Sequence, residues 1–296
     1  MAEVVLVHGI GQERHDPADL GASMTADLAV GLRAAGFTAE ADALPGRTTL
    51  AYFADLFGRP DQQGVAMPAQ EDLVAGLLAD ILRNAATRGP QEADRQEAAR
   101  ALAVATGEHP DAQGPRAALR PLLRAATRMS TFGRLGFALA EQYFWQALGQ
   151  VAQYFTEPDT RNQIVERLTA QLGPETKVVV AHSLGTVVAY EALHRLAHPL
   201  PLLVTLGSPL GLRTVIYERL APQPPHVPPL LRRWVNILDR DDLIAAEAEL
   251  GRLFPGAAEV VEPHRLVDNG REPHAARAYL GQAETGRPVG EILRGA

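Results

Sequence analysis

The feature that most constrains this chain is a repeated alternation of short apolar runs with helical segments after Glu157-Pro158. A helix is expected over about 159–172, then the run "KVVVAH", a helix over 185–197, and the runs "PLLVTLGS" and "RWVNIL". A helical piece over 243–253, a short strand "AEVVE" and a helix near 275–281 are expected to follow. Near-continuous Val, Ile and Leu in a strand mean burial on both faces, which a parallel sheet covered by helices provides. Such sheets place ligands beyond the carboxyl ends of their strands.

The N-terminal part supplies the first strands. "EVVLVHGIGQ" reads as a buried strand ending in a His-Gly turn, and Asp16-Pro17 opens a helix that Gly36 closes. Of "FTAEADAL" and "TTLAYFADLF", one is expected to be the second strand. From Pro68 to about residue 156 the pattern becomes helical, with leucines at helical spacing in "EDLVAGLLADILRNAA", interrupted at Gly89-Pro90 and at "GEHPDAQGP". The fold expected is α/β in one domain over 1–296, with about six mainly parallel strands and a helical cap over 68–156 inserted between the second and third.

Composition narrows the function. With 46% apolar residues in 296, a large core can form, and a formal charge of −7 argues against nucleic acid as a partner. The absence of cysteine excludes disulfides, thiolate metal sites and a Cys nucleophile. No metal-ligand spacing is formed by the histidines at 109, 194, 198 and 226, so neither metal nor cofactor is expected. No run approaches the ~18 apolar residues of a membrane span, and the start "MAEVVLVHG" has no basic n-region, so a cytoplasmic location is expected.

The chemistry is expected at "VVVAHSLG". A serine hydroxyl becomes nucleophilic only with a base beside it and hydrogen-bond donors ahead of it. A strand-turn-helix bend supplies that geometry by pushing Ser183 out at the strand's end, with the Leu184 N–H at the helix start. Ala181 stands where G-x-S-x-G has its first glycine, a change of one methyl, while Gly185 keeps the second. The plain alternative is an ordinary bend with Ser183 as helix cap. His182 points away from Ser183 along an extended strand and is expected beside the site as a substrate contact, not as the base.

A Ser-acid-His order after this turn would complete a triad. "DRDDLIA" offers Asp239, Asp241 and Asp242, and the loop after "VVE" offers His264 and His274. In "HGIG" the glycine spacing lacks the further glycine and the acidic partner of a dinucleotide loop.

On "VVLVHGIGQ", "VVVAHSLG", "TLGSPLG" and "WVNILDRDDLIA" with a downstream histidine, the chain resembles the α/β-hydrolase superfamily, in its lipase and GPI inositol-deacylase-like branch. The resemblance implies a serine esterase acting through an acyl-enzyme, with the Ile10 amide of "HGIG" as second oxyanion donor beside Leu184 and with Gly9 and Gly11 at the substrate. It lays Asp242-Leu243-Ile244-Ala245 on the family's acid segment, making Asp242 the acid with Asp239 the alternative. His274, in "REPHAARAYL" before the last expected helix, becomes the base with His264 the alternative. A helical cap above such a site favours a hydrophobic or lipid-like ester. Arg116, Arg120, Arg124 and Arg128 form a basic stripe, either a solvated helix face or a transient membrane-surface contact. A reading of another class is a non-catalytic module that binds a protein through the cap.

Overall fold

The computed structural model describes residues 2–57, 68–89, 91–107, 122–126, 128, 137–245 and 247–295. Six strands form one all-parallel sheet in the order β2-β1-β3-β4-β5-β6. They are β1 (Val4–Val7), β2 (Thr48–Ala51), β3 (Val178–His182), β4 (Leu202–Leu206), β5 (Trp234–Asp239) and β6 (Arg265–Val267).

Helices cover both faces. Between β1 and β2 lie α1 (Pro17–Ala34), whose first turn is capped by the Asp16 carboxylate, and α2 (Thr38–Ala43). Between β2 and β3 come α3 (Pro68–Arg88), α4 (Glu92–Gly107), α5 (Phe137–Thr156) and α6 (Pro158–Thr169). Next are α7 (Leu184–Leu193), then α8 (Ala276–Leu280) and α9 (Ala283–Arg294) after β6. Period-two alternation divides the core. Val5, Val7, Val179 and Ala181 pack under α3 to α7, while Val4, Leu6, Val178 and Val180 pack under α1, α8 and α9.

The order of strands reverses at β1, since β2 lies to one side of it and β3 to the other. Loops that leave β1 and β3 therefore diverge to opposite faces and open a crevice at the carboxyl ends of these two strands. The insertion is anchored beside this crevice. Glu191, buried on α7, accepts from the Tyr154 hydroxyl of α5 at 2.7 Å, from the Arg161 Nε of α6 at 2.9 Å and from the Ala221 N–H at 3.1 Å. A buried carboxylate with this many donors fixes three helices against one another.

Three local expectations change. Residues 258–262 form no ladder strand. A 3-10 turn occupies Ala257–Glu259 and a single bridge joins Val261 to Trp234, while the sixth strand is Arg265–Val267. That strand is three residues long, with an arginine and an exposed leucine, so no apolar run marks it. The helical piece over 243–253 reduces to a turn at Leu250–Arg252, because Asn236 Nδ2 donates to the Ala248 carbonyl and holds that stretch against β5. Helix α9 was not expected, since Gly286, Pro288 and Gly290 interrupt its pattern. Its glycines allow close packing: a Cβ on Gly286 would lie 2.0 Å from the Gly31 carbonyl oxygen, and one on Gly290 would strike the Phe37 ring.

Candidate active site

Ser183 stands between the last residue of β3 and the first of α7 with φ 53° and ψ −129°, the one non-glycine residue with positive φ among those described. A side chain pays strain for that backbone, and the surroundings enforce it. The Ser183 N–H donates to the Leu206 carbonyl at 3.0 Å, tying the turn to β4. On the helix side a Cβ at Gly185 would lie 2.4 Å from the His8 carbonyl oxygen, so only glycine lets α7 start this close to β1. Ala181 is fully buried and keeps its register with Val7 and Thr205, so the extra methyl costs the strand nothing visible.

His274 lies in the loop between β6 and α8, and its Nε2 is 3.0 Å from Ser183 Oγ, the acceptor of that hydroxyl. On its other side His274 Nδ1 donates to Asp242 Oδ2 at 2.8 Å. Asp242 is buried and fully partnered. Its Oδ2 also accepts from the Tyr279 hydroxyl at 2.7 Å, and its Oδ1 accepts from the Ile244 and Ala245 N–H groups at 3.0 and 3.4 Å. Burial by itself would raise the Asp242 pKa, but His274 and the donated hydrogen bonds outweigh it and hold the carboxyl below its ordinary value. A serine, an imidazole and a carboxylate in this sequence of contacts can pass a proton from hydroxyl to ring while the carboxylate keeps the ring's tautomer.

Of the alternatives, Asp239 and His264 lie elsewhere. Asp239 is buried, and its carboxylate accepts from the Asp241 and Asn269 amides, holding the two loops together. His264 precedes β6 instead of following the last strand, which puts it at the amino end of the sheet, and its Nδ1 lies 2.7 Å from Glu249 Oε1.

The loop after β1 faces Ser183 from the other side. A Cβ on Gly9 would be 2.8 Å from the Ser183 Cβ, so glycine is required for this approach. Among the described residues nothing accepts from the N–H groups of Ile10 and Leu184, and the latter opens α7, where the helix dipole favours negative charge. His8 fixes the direction of the first of these. Its Nδ1 donates to the Gly9 carbonyl at 2.6 Å and its Nε2 accepts from the Phe53 N–H at 3.0 Å. In a trans peptide the N–H points opposite to the carbonyl, so gripping the Gly9 oxygen aims the Ile10 N–H. Burial drives the His8 pKa down to about 4, which keeps the ring neutral and both bonds intact near neutral pH.

His182 does lie beside the site. Its Nε2 donates to the His274 backbone carbonyl at 2.9 Å, and burial, followed by the neighbouring His274, lowers its pKa to about 3. Gly9 and His182 line a cavity that reaches Ser183, whereas Gly11, at φ 76°, lines neither cavity described below and gives its N–H to Gln150 of α5 at 3.0 Å.

Two cavities meet at Ser183, Ile10 and His274. One, of about 100 Å³, lies beneath the inserted helices among Leu77, Ile81, Leu148 and Val151; the other, of about 310 Å³, opens between α1 and α8. Tyr279 and Gln150 were not singled out in the sequence, whereas Gly207 lies in the "TLGSPLG" run on which the resemblance rests. Gly207, at φ 54°, has no room for a Cβ, which would lie 2.8 Å from Asp242 Oδ2.

Of the basic stripe, Arg116 and Arg120 fall outside the described residues, as does His109; Arg124 and Arg128 are exposed, and Arg128 lies 3.6 Å from Glu97. Among the described residues no helix is long and apolar enough to cross a membrane. No protein-family model, no characterised protein and no solved structure matches the chain.

Proposed function

We propose that this chain is a serine hydrolase of the α/β-hydrolase type that cleaves a carboxylic ester through an acyl-enzyme. The observation that carries the reading is the continuous line of contacts from Ser183 Oγ through the His274 ring to Asp242, at 3.0 and 2.8 Å, built on a strained turn.

In this reading Ser183 Oγ attacks the ester carbonyl carbon as its proton passes to His274 Nε2. The carbonyl oxygen takes up the negative charge against the Ile10 and Leu184 N–H groups, an interaction whose loss would cost ~3 kcal/mol of barrier per donor. The carbon–oxygen bond to the alcohol breaks, and the alkoxide leaves with the proton from His274. Water then repeats the sequence, with its proton held by His274 and returned to Ser183 as the acid departs. Asp242 stabilises the imidazolium in each half without itself taking the proton.

A fluorophosphonate probe tests the reading. Covalent labelling of the folded wild type that is lost in Ser183→Ala is the expected result. A folded wild type that takes no label overturns it and leaves an interaction module on this fold as the alternative.

A further inference from the structure

The two cavities at Ser183 differ in size and in the polarity of their linings. An acyl carbon bonded to Ser183 Oγ, with its oxygen toward Ile10 and Leu184, has two directions left, one for the acyl chain and one for the alcohol. Both directions exist as separate spaces that share Ser183, Ile10 and His274. The smaller is walled by Leu77 and Ile81 of α3, Leu148 and Val151 of α5, and Leu212 and Ile216 after β4. Among the described residues His274 is the one titratable group in its lining. At about 100 Å³ it holds some three or four groups of the ~30 Å³ that a water or methylene occupies.

The larger space, about 310 Å³, is bordered by Asp27 on α1 and Arg277 on α8, with exposed Ser23 at its rim. Besides His274, which it shares with the smaller cavity, it is lined by the two residues that follow, Ala275 and Ala276. Hydroxyl groups of an alcohol placed in the apolar cavity would lose their hydrogen bonds, a cost of several kcal/mol each, whereas the open side offers them the Asp27 carboxylate and water. Burial raises the Asp27 pKa despite the opposing Arg277, as befits a carboxylate that faces a confined space.

We propose that the substrate is an ester of a short acyl chain, about four carbons, with a larger polar alcohol: the acyl chain fills the small apolar cavity under α3 and α5, and the alcohol occupies the larger cavity beside Asp27. This rests on the ester-hydrolase reading and replaces the lipid-like acyl group expected from the sequence. The inserted helices act as a stop that sets chain length.

The test is a panel of p-nitrophenyl esters from acetate to dodecanoate, together with monobutyryl glycerol and ethyl butyrate, run beside fluorophosphonate labelling. In the wild type kcat/KM should rise about fourfold per methylene up to about butyrate, from ~0.8 kcal/mol per methylene buried, and fall at least tenfold by decanoate. Leu77→Ala and Val151→Ala, on different helices, should each move the optimum to longer chains. If either fails to fold, the wild-type profile and the other variant still decide. Monobutyryl glycerol should be preferred to ethyl butyrate, and Asp27→Ala should reduce that ratio at least fivefold. A wild-type rate that keeps rising to dodecanoate overturns the acyl stop, and a ratio at or below one, or one indifferent to Asp27→Ala, overturns the alcohol site. Labelling of Ser183 without turnover of any ester overturns the ester class while leaving the nucleophile, and absence of labelling overturns the hydrolase reading beneath it.

Discussion

Gln150 Oε1 accepts the Gly11 N–H at 3.0 Å, so a helix of the insertion holds the loop that carries Ile10. The same side chain donates from Nε2 to Glu13 Oε2 at 3.0 Å, which gives the loop a second hold three residues from Ile10. Gln150 is buried and makes both bonds with one amide group. Gln150→Ala should lower kcat about tenfold with little change in KM, because an oxyanion donor out of place costs transition-state binding in particular. The measurement is steady-state kinetics beside a thermal melt. An unchanged kcat in a folded variant would mean that the loop holds its shape without α5.

Tyr279 steers the acid. Its hydroxyl donates to Asp242 Oδ2 at 2.7 Å and accepts from the Asp239 N–H at 2.8 Å. Tyr279→Phe removes a donor to a buried charge and leaves an amide unpartnered, together worth ~2 kcal/mol. The expected outcome is a kcat lower by about tenfold and an acidic limb of the pH profile moved upward, since Asp242 loses one of the bonds that hold its pKa down. A purely structural role would lower the melting temperature and leave the profile in place.

Acid should destabilise the fold before carboxylates titrate. His8 is protonated near pH 6.5 in the unfolded chain but only near 4 in the folded one. Between those values the unfolded state binds the extra proton, so stability falls as pH drops from 6.5 to about 4 and loses nothing further from this group below that. The loss is ~3 kcal/mol over the window. Urea unfolding at pH 7.5 and 5 measures it, and His8→Asn should flatten the dependence. An identical slope in that variant would assign the acid sensitivity to other groups, with His182 the next candidate because its lowered pKa acts in the same direction.

Gly207 marks the carboxyl end of β4 as part of the site. A Cβ there would lie 2.8 Å from Asp242 Oδ2 and 3.2 Å from His274 Nδ1, on a backbone at φ 54° that costs ~1 kcal/mol for any L side chain. Gly207→Ala should therefore cut kcat at least a hundredfold by parting Asp242 from His274, with a modest loss of stability. Circular dichroism checks that the variant remains folded, and retained turnover would show that the loops give way freely.

Much of the site could be read along the chain because it depends on local rules. The junction of "VVVAH" with "LGTVVAY" places Ser183 wherever strand meets helix, and the insertion between the second and third strands follows from its change of period. Between Asp239 and Asp242 motif register favoured the residue that the structure brings to His274. Order along the chain left His264 open, because the strand that excludes it is too short and too polar to announce itself.

What the sequence determined alone was the class of fold and the positions where a nucleophile, an acid and a base could emerge. Apolar periodicity and strand-helix junctions are properties of neighbouring residues. Tertiary structure decided which of those groups touch, what supports them and how much space adjoins them. Gln150 and Gly11 are 139 residues apart, Tyr279 and Asp242 37, and the cavity walls come from α3, α5 and the loop after β4. Such contacts depend on how helices pack on the two faces of the sheet, and no local pattern encodes that distance.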